Sequence, residues 1–344
     1  MHKSDKKNLV TGATGLVGAH LLLELCTHEM HVRAIKRKQS DISYVKKIFA
    51  LRGTETEALF NNIEWVEADI TDIHALDEAL EGINKVYHTA AVVSFNPSDK
   101  AYMHNINVRG TANVVNLCLE KKIEKLCHTS SIAAIGRSEK IGEIDEETPW
   151  LKQHKKSNYA LSKYEAELEV WRGIAEGLNA VIINPSIIIG TGHWHKSSAK
   201  LFETMHKGLS FYTTGINGFV DVRDVASVMV KLMESEISAE RFIINAENVS
   251  YKDLFYAIAK SIHVKPPPWK ATPLMSSLAW RGSALKSLLT GKAPMITKET
   301  AATAQKKYFF SNKKIRQALH FQFIPIENAI KYTGEIFLKE NQKG

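Results

Sequence analysis

Tyr159 and Lys163 stand four residues apart in the run Tyr159-Ala160-Leu161-Ser162-Lys163. On a helix that spacing puts both side chains on one face, so a phenol and an ammonium can reach into the same pocket. A phenol, with an ordinary pKa of about 10, is a poor base at neutral pH. A neighbouring ammonium favours the phenolate and brings proton exchange with a substrate oxygen within range. Any Tyr-x-x-x-Lys taken alone is common, so the pair acquires meaning only from what surrounds it.

Gly12, Gly15 and Gly18 lie in Thr11-Gly12-Ala13-Thr14-Gly15-Leu16-Val17-Gly18, directly behind Leu9 and Val10. Glycine has no Cβ, so the chain can turn sharply and bring backbone amides against a pyrophosphate. The start of the following helix adds unpaired N–H groups and positive potential, and Gly18 lets that helix approach the sheet. Dinucleotide contacts are therefore expected at Gly12, Thr14, Gly15, Leu16, Val17 and Gly18.

An oxidised nicotinamide beside Tyr159 would add to the pull of Lys163 on the phenol, and Lys163 can bond the nicotinamide ribose. The second strand reads Ala34-Ile35-Lys36-Arg37-Lys38, without the carboxylate that commonly holds the adenosine ribose hydroxyls of NAD. Arg37 first, then Lys36, can compensate a ribose 2′-phosphate. NADP(H) is favoured and NAD(H) stays open, as does the reading of these cations as solvated surface charge. Asp69, followed by Ile70, suits the adenine amino group or caps the next helix, although Asp72 is the better placed cap.

The elements that must position these groups follow from periodicity. Strands are expected around Leu9–Val10, at 31–35, 63–66, 85–88 and 125–129, and at 180–184 before Pro185. Helices are expected through about Thr27, at 74–80 and 99–120, and from about Ser157 to Glu176. Such alternation predicts an α/β, Rossmann-type doubly wound parallel sheet with its carboxyl strand ends along one edge. A polar loop at 136–156 interrupts the rhythm. Shorter elements follow, with helices at 224–232 and 251–261, an extended run at 242–245 and a stop at Pro266, Pro267 and Pro268. The expected division is a core at 1–185 and a smaller mixed substrate region at 186–344, some segments of which return to the core. Leu274, Leu278, Leu285, Leu288 and Leu289 outline an amphipathic helix within 273–290, suited to core packing, a lid or weak membrane-surface association.

Composition narrows the classes. The 344 residues are 44% hydrophobic and 24% charged, as in a globular protein that needs no staple. The +8 charge is scattered apart from Lys36-Arg37-Lys38 and His154-Lys155-Lys156, so no nucleic-acid partner is expected. Cys26, Cys118 and Cys127 sit in apolar stretches as buried thiols, which fits a reducing cytoplasm. The N-terminus reaches Gly12 without an apolar signal core, and no run of eighteen apolar residues is present, so neither a signal peptide nor a transmembrane segment is expected. His193 and His195 alternate without an accompanying Cys or carboxylate, and no metal site is expected.

Seven segments in order resemble the extended branch of the short-chain dehydrogenase/reductase superfamily, the NAD-dependent epimerase/dehydratase family. They are residues 11–18, His88-Thr89-Ala90-Ala91, Asn107-Val108-Arg109-Gly110-Thr111, Thr129-Ser130-Ser131, Tyr159 to Lys163, Asn184-Pro185-Ser186 and Phe219 to Ala226. The resemblance implies Ser131 and Tyr159 as catalytic hydroxyls with Lys163 as their supporting cation, Ser130 being the one-residue alternative to Ser131. It further implies Asn107 as an organiser of Lys163. Thr89, Ala90, Ala91 and Pro185 are expected beside the dinucleotide, and a homodimer through two long helices per subunit follows from the same likeness.

Within the superfamily the chain is similar to the dihydroflavonol reductase-like branch. That implies an NADP(H)-dependent oxidoreductase reducing a carbonyl or oxidising a secondary alcohol. The enzymatic rival is a nucleotide-sugar epimerase or dehydratase with tightly retained NAD(P). The acid pair usual in a dehydratase is absent where Ile132-Ala133-Ala134 follows Ser131. A non-catalytic dinucleotide-binding regulatory protein is the reading from another class. Phe95, Trp150, His193, Trp194 and His195 are the substrate-side candidates, His193 and His195 reading first as solvated or packing histidines, and Lys155 and Lys156 read as an exposed basic loop before a site for a phosphate or CoA tail.

Overall fold

Apolar strands buried on both faces need cover on both faces, and the chain supplies it. In the computed structural model, which describes residues 6–137, 142–151, 157–272, 275, 280–281 and 304–341, seven parallel strands form the central sheet. They are β1 (Lys7–Thr11), β2 (His31–Lys36), β3 (Glu64–Glu67), β4 (Lys85–His88), β5 (Lys125–Thr129), β7 (Ala180–Pro185) and β11 (Glu240–Ile244). Their order is β11-β7-β5-β4-β1-β2-β3, so the order reverses between β1 and β4. A crevice opens at that switch point, outside the carboxyl ends of the strands.

One face is covered by α1 (Leu16–Thr27), α2 (Ser43–Ala50) and α9 (Val222–Glu234), whose Leu21, Leu25, Val45, Phe49, Val225 and Met229 share a core with Val10 and Val181. The other is covered by α4 (Ile73–Ala79), α6 (Gly110–Glu120) and α7 (Asn158–Ala175), where Val115 and Val170 pack with Val86, Leu126 and Ile182. Short α3 (Thr54–Phe60) and α5 (Lys100–His104) complete this half. The helix expected at 99–120 is divided: a π turn at Asn105–Arg109 separates α5 from α6. Asp72 caps α4, accepting from the His74 and Ala75 N–H groups, and Ser157 caps α7 through the Ala160 N–H at 2.8 Å.

Beyond Pro185 a three-stranded sheet of β8 (Ile187–Ile189), β10 (Ile216–Asp221) and β12 (Glu247–Ser250) packs with α8 (Lys200–His206), α10 (Tyr251–Ser261) and the last helix, α12 (Ile326–Asn341). Two short ribbons join β6 (Glu143–Ile144) to β14 (Phe309–Phe310) and β9 (Phe211–Tyr212) to β13 (Trp269–Lys270). Helix α11 (Lys313–Leu319) lies between β14 and α12. Strand β11 and helix α9, both late in the chain, belong to the central layers.

The thiols of Cys26, Cys118 and Cys127 are buried, and burial pushes all three above their ordinary range. Among the described residues no helix is long and apolar enough to cross a membrane, and no group of three or more His, Cys, Asp or Glu could hold a metal. The basic run at 154–156 and all five leucines of the pattern at 273–290 lie outside the described residues.

Candidate active site

The turn after β1 runs against the loop after β4. Gly12 has φ +66°, and a Cβ there would come within 2.6 Å of the Ala90 backbone, so this position requires glycine twice over. At Gly18 a Cβ would lie 2.3 Å from the Gly12 carbonyl oxygen, which explains the third glycine of the motif. Gly15 caps α1 without any side-chain oxygen on the helix N–H groups, and the first turn holds no acidic residue. This cradle of backbone at a helix N-terminus, next to the switch point, fits the pyrophosphate of a dinucleotide. Thr14 lies in the turn, and Leu16 and Val17 begin α1.

Thr89 Oγ donates to the Thr11 carbonyl at 2.7 Å, tying the two loops together beside Ala90 and Ala91. Lys36 ends β2, and the exposed Arg37 lies beyond it with Nη1 donating to the Tyr102 hydroxyl at 3.4 Å. Asp69 spends one carboxylate oxygen on the Thr71 N–H and hydroxyl, at 2.9 and 2.7 Å. Ile70 is buried under Gly110, and Pro185 closes β7 in register with Ile244.

Tyr159 and Lys163 lie in the first turns of α7. Lys163 is 2% exposed, and Nζ donates to the Thr129 carbonyl at 2.7 Å. Burial pushes its pKa down to about 8, with the Glu167 carboxylate pulling the other way. The phenol of Tyr159 is pushed above its usual range by burial, partly opposed by a hydrogen bond with Ser131. Desolvation outweighs the hydrogen bond in the chain by itself, so the phenol is not depressed. In the chain by itself, Tyr159 is thus a protonated group, a proton donor. Ser131 Oγ accepts from the Ala133 N–H at 3.1 Å and also shares the hydrogen bond with Tyr159. The edge of the Phe95 ring meets Tyr159 at 5.7 Å between centroids.

Asn107 sits in the π turn, buried. Its side chain clasps Val92 at both ends, Oδ1 accepting from N–H at 2.7 Å and Nδ2 donating to C=O at 2.9 Å, and Nδ2 also reaches Ser162 Oγ at 3.0 Å. Asn107 therefore joins the β4 loop to the residue before Lys163; no hydrogen bond to Lys163 itself is formed.

Beneath it runs a relay that the motifs did not reveal. Thr111 Oγ donates to the Asn107 carbonyl at 2.6 Å, so it must accept from His88 Nε2–H at 2.9 Å. His88 Nδ1 in turn accepts from Thr11 Oγ at 2.7 Å. Burial, with the charge of Lys163, drives His88 down to about 3, so it stays neutral. His128, its register partner on β5, lies 5.1 Å away ring to ring and is also held well below the usual histidine range by burial.

The remaining expected substrate-side residues lie elsewhere. Trp150 stacks on Tyr164 at 4.2 Å, and His193 packs on Tyr44 at 4.3 Å. Trp194 donates to Glu340 of α12 at 2.8 Å, and His195 contacts Glu203 at 2.9 Å. Beyond Gly190 the chain folds onto α2 and α12, which gives His193 and Trp194 these partners.

Residues 8–245 match the model of the NAD dependent epimerase/dehydratase family. The chain is similar to sterol demethylase protein B of Methylococcus capsulatus, at 29% identity over 275 residues, 79% of each chain. It is also similar to cinnamoyl-CoA reductase 1 of Petunia hybrida, at 27% identity over 335 residues, 94% of this chain and 90% of that one. In three dimensions it resembles UDP-glucose 4-epimerase of Thermotoga maritima solved with UDP-glucose, with a TM-score of 0.76 and 20% identity over 97% of this chain and 99% of the other. At that identity the likeness is one of fold.

Proposed function

Because the chain belongs to the NAD dependent epimerase/dehydratase family, we propose that it moves a hydride between a nicotinamide dinucleotide and an alcohol or carbonyl carbon of a small molecule. The observation that carries this reading is the convergence of a protonated phenol, a serine hydroxyl and a buried ammonium at the sheet edge that also bears the glycine cradle.

When bound, the nicotinamide supplies or accepts the hydride. Everything else falls to the chain. The glycine turn and the N-terminus of α1 hold the pyrophosphate, and the Asn107 clasp on Val92 fixes the loop that lies against that turn. In the reductive direction Ser131 and Tyr159 donate hydrogen bonds to the substrate oxygen, and Tyr159 passes its proton there as negative charge develops. The positive charge of Lys163 favours the phenolate so formed. Oxidation runs the same proton back to Tyr159. Arg37 and Lys36 support NADP(H) over NAD(H), since both are cations at the end of β2 with no acidic neighbour in the Lys36-Arg37-Lys38 run.

The fate of the hydride separates two forms of this activity. The family match, together with the fold shared with a UDP-glucose 4-epimerase, supports a cycle on retained cofactor, as in an epimerase, at least as well as net dihydroflavonol reductase-like reduction. The basic end of β2, the sequence likeness to a cinnamoyl-CoA reductase and the exposed Phe95 beside Tyr159 support net reduction of a flat or apolar substrate. A regulatory protein without turnover has the intact Ser131, Tyr159 and Lys163 set against it. Leu161 and Leu168, exposed and seven residues apart on α7, offer apolar surface for a second copy of the chain.

The test is turnover of aldehydes, ketones, sterols and nucleotide sugars with NADPH and with NADH, alongside Tyr159→Phe. Net NADPH oxidation supports the reductase form; sugar interconversion with an unchanged cofactor pool supports the epimerase form. Either activity should fall about 100-fold or more in Tyr159→Phe while dinucleotide binding stays near normal. A variant as active as the parent would overturn the mechanism, and tighter binding of NADH than NADPH would overturn the cofactor preference.

A further inference from the structure

Glu167 follows Tyr159 and Lys163 at eight and four residues on α7, so the three share a face of the helix. It is 2% exposed, far from the solvated position usual for a glutamate. Its Oε2 accepts from Ser130 Oγ at 2.7 Å and from Asn184 Nδ2 at 2.8 Å. Its Oε1 accepts from Arg241 Nη1 at 3.0 Å and Trp171 Nε1 at 3.4 Å. Asn184 Nδ2 also donates to the Ser131 carbonyl at 3.0 Å, and Arg241 continues to the Glu146 carbonyl. One carboxylate thus ties the loop after β5 to β7, β11 and α7.

We infer that Glu167, clamped by Arg241, is a positioning residue for hydride transfer, fixing Ser131 through Ser130 and Asn184 and furnishing the counter-charge for Lys163. The inference rests on the hydride-transfer reading above. Two features make it more than a fold-holding pair. The backbone it secures belongs to Ser131 itself, and Glu167 provides the opposing charge that acts on buried Lys163. The titratable groups facing Lys163 are otherwise Tyr159 on α7 and the neutral His88 and His128 on β4 and β5. Those beyond Glu167 are Arg241, Glu146 and the Glu240–Lys314 pair. Removing the carboxylate therefore leaves desolvation of Lys163 unopposed.

The test compares full-length parent, Glu167→Gln, Arg241→Gln and Arg241→Lys, first checked for cooperative unfolding and dinucleotide binding. Rates are measured over a pH series with the substrate that the parent turns over. Glu167→Gln should lose kcat by about 10–100-fold with KM within about threefold, the size of effect expected from misplacing a reacting group. Its alkaline limb should move to lower pH by about half a unit or more, as should the Lys163 Nζ titration followed by NMR of ¹⁵N-lysine-labelled protein and assigned with Lys163→Met. Arg241→Gln should behave alike, and Arg241→Lys should recover most of the rate. A folded Glu167→Gln with parental kcat and an unmoved limb overturns the inference while leaving hydride transfer intact. Should Glu167→Gln not fold, parental kcat and limb in Arg241→Gln overturn it equally. If the parent turns over no substrate, hydride transfer itself fails, and an unmoved Lys163 titration then sinks the positioning role separately.

Discussion

Both ends of the central sheet bury lysines, and they use them differently. At the amino edge, Lys85 and Lys125 are register partners on β4 and β5. Lys85 Nζ donates to the Met233 carbonyl at 3.0 Å and the Glu234 carboxylate at 2.7 Å, and Lys125 Nζ to the carbonyls of Leu232 and Ser235 at 2.7 and 2.6 Å. Together they close the last carbonyls of α9, where the helix dipole favours cations. At the carboxyl edge, Lys163 is at least as buried, yet among the described residues its hydrogen bond goes to Thr129 alone. An ammonium has three protons to donate. The amino-edge lysines are consumed in holding a helix, whereas Lys163 retains donors for a ligand. Burial of a charge points to chemistry when its hydrogen bonding is left incomplete.

The sharpest way to break this contrast is to remove each charge in turn. Lys163→Met should lower kcat/KM by about 100-fold or more, with its urea midpoint near that of the parent. Lys85→Met should do the opposite, losing roughly 1–3 kcal/mol in urea unfolding with kcat/KM of the folded protein nearly unchanged. Equal loss of activity in both would erase the distinction.

Next in size is pH. With Lys163 held at about 8, kcat/KM should fall above that pH by about tenfold per unit as the ammonium is lost, and a profile level to about pH 10 would remove Lys163 from the mechanism. The smallest effect concerns α9 at the end opposite the lysines. Asp224, which accepts the Ile324 N–H at 2.8 Å, is pushed up to about 7 by burial. Folded protein then holds this proton more tightly than unfolded chain. The stability it contributes is present below about pH 4 and is lost as pH rises through about 7, on the order of 1 kcal/mol per unit. Urea unfolding of Asp224→Asn across that window should show a flatter dependence than the parent; matching slopes would refute the assignment.

What the sequence discloses divides along similar lines. Local chemistry reads directly: the Gly12 turn, the Asp72 and Ser157 caps, and the four-residue spacing of Tyr159 and Lys163 each depend on neighbours in the chain. Alternating strands and helices disclose the parallel sheet for the same reason. Glu167 reads only as a polar helix position until strand order brings up Arg241, 74 residues away. His88 and His128 become a pair only through the β4–β5 register. Aromatic character does not disclose that Trp194 meets Glu340, which lies on a terminal helix that no motif announced.

β11 also sets a timetable. A ribosome that has delivered the chain through β7 has already made the glycine turn, Ser131, Tyr159 and Lys163, yet not the guanidinium that meets Glu167. The nascent protein thus owns its reactive groups for more than fifty residues of translation before the edge strand that braces them can dock. The bond between Glu167 and Arg241 thus waits on synthesis of the second half of the polypeptide.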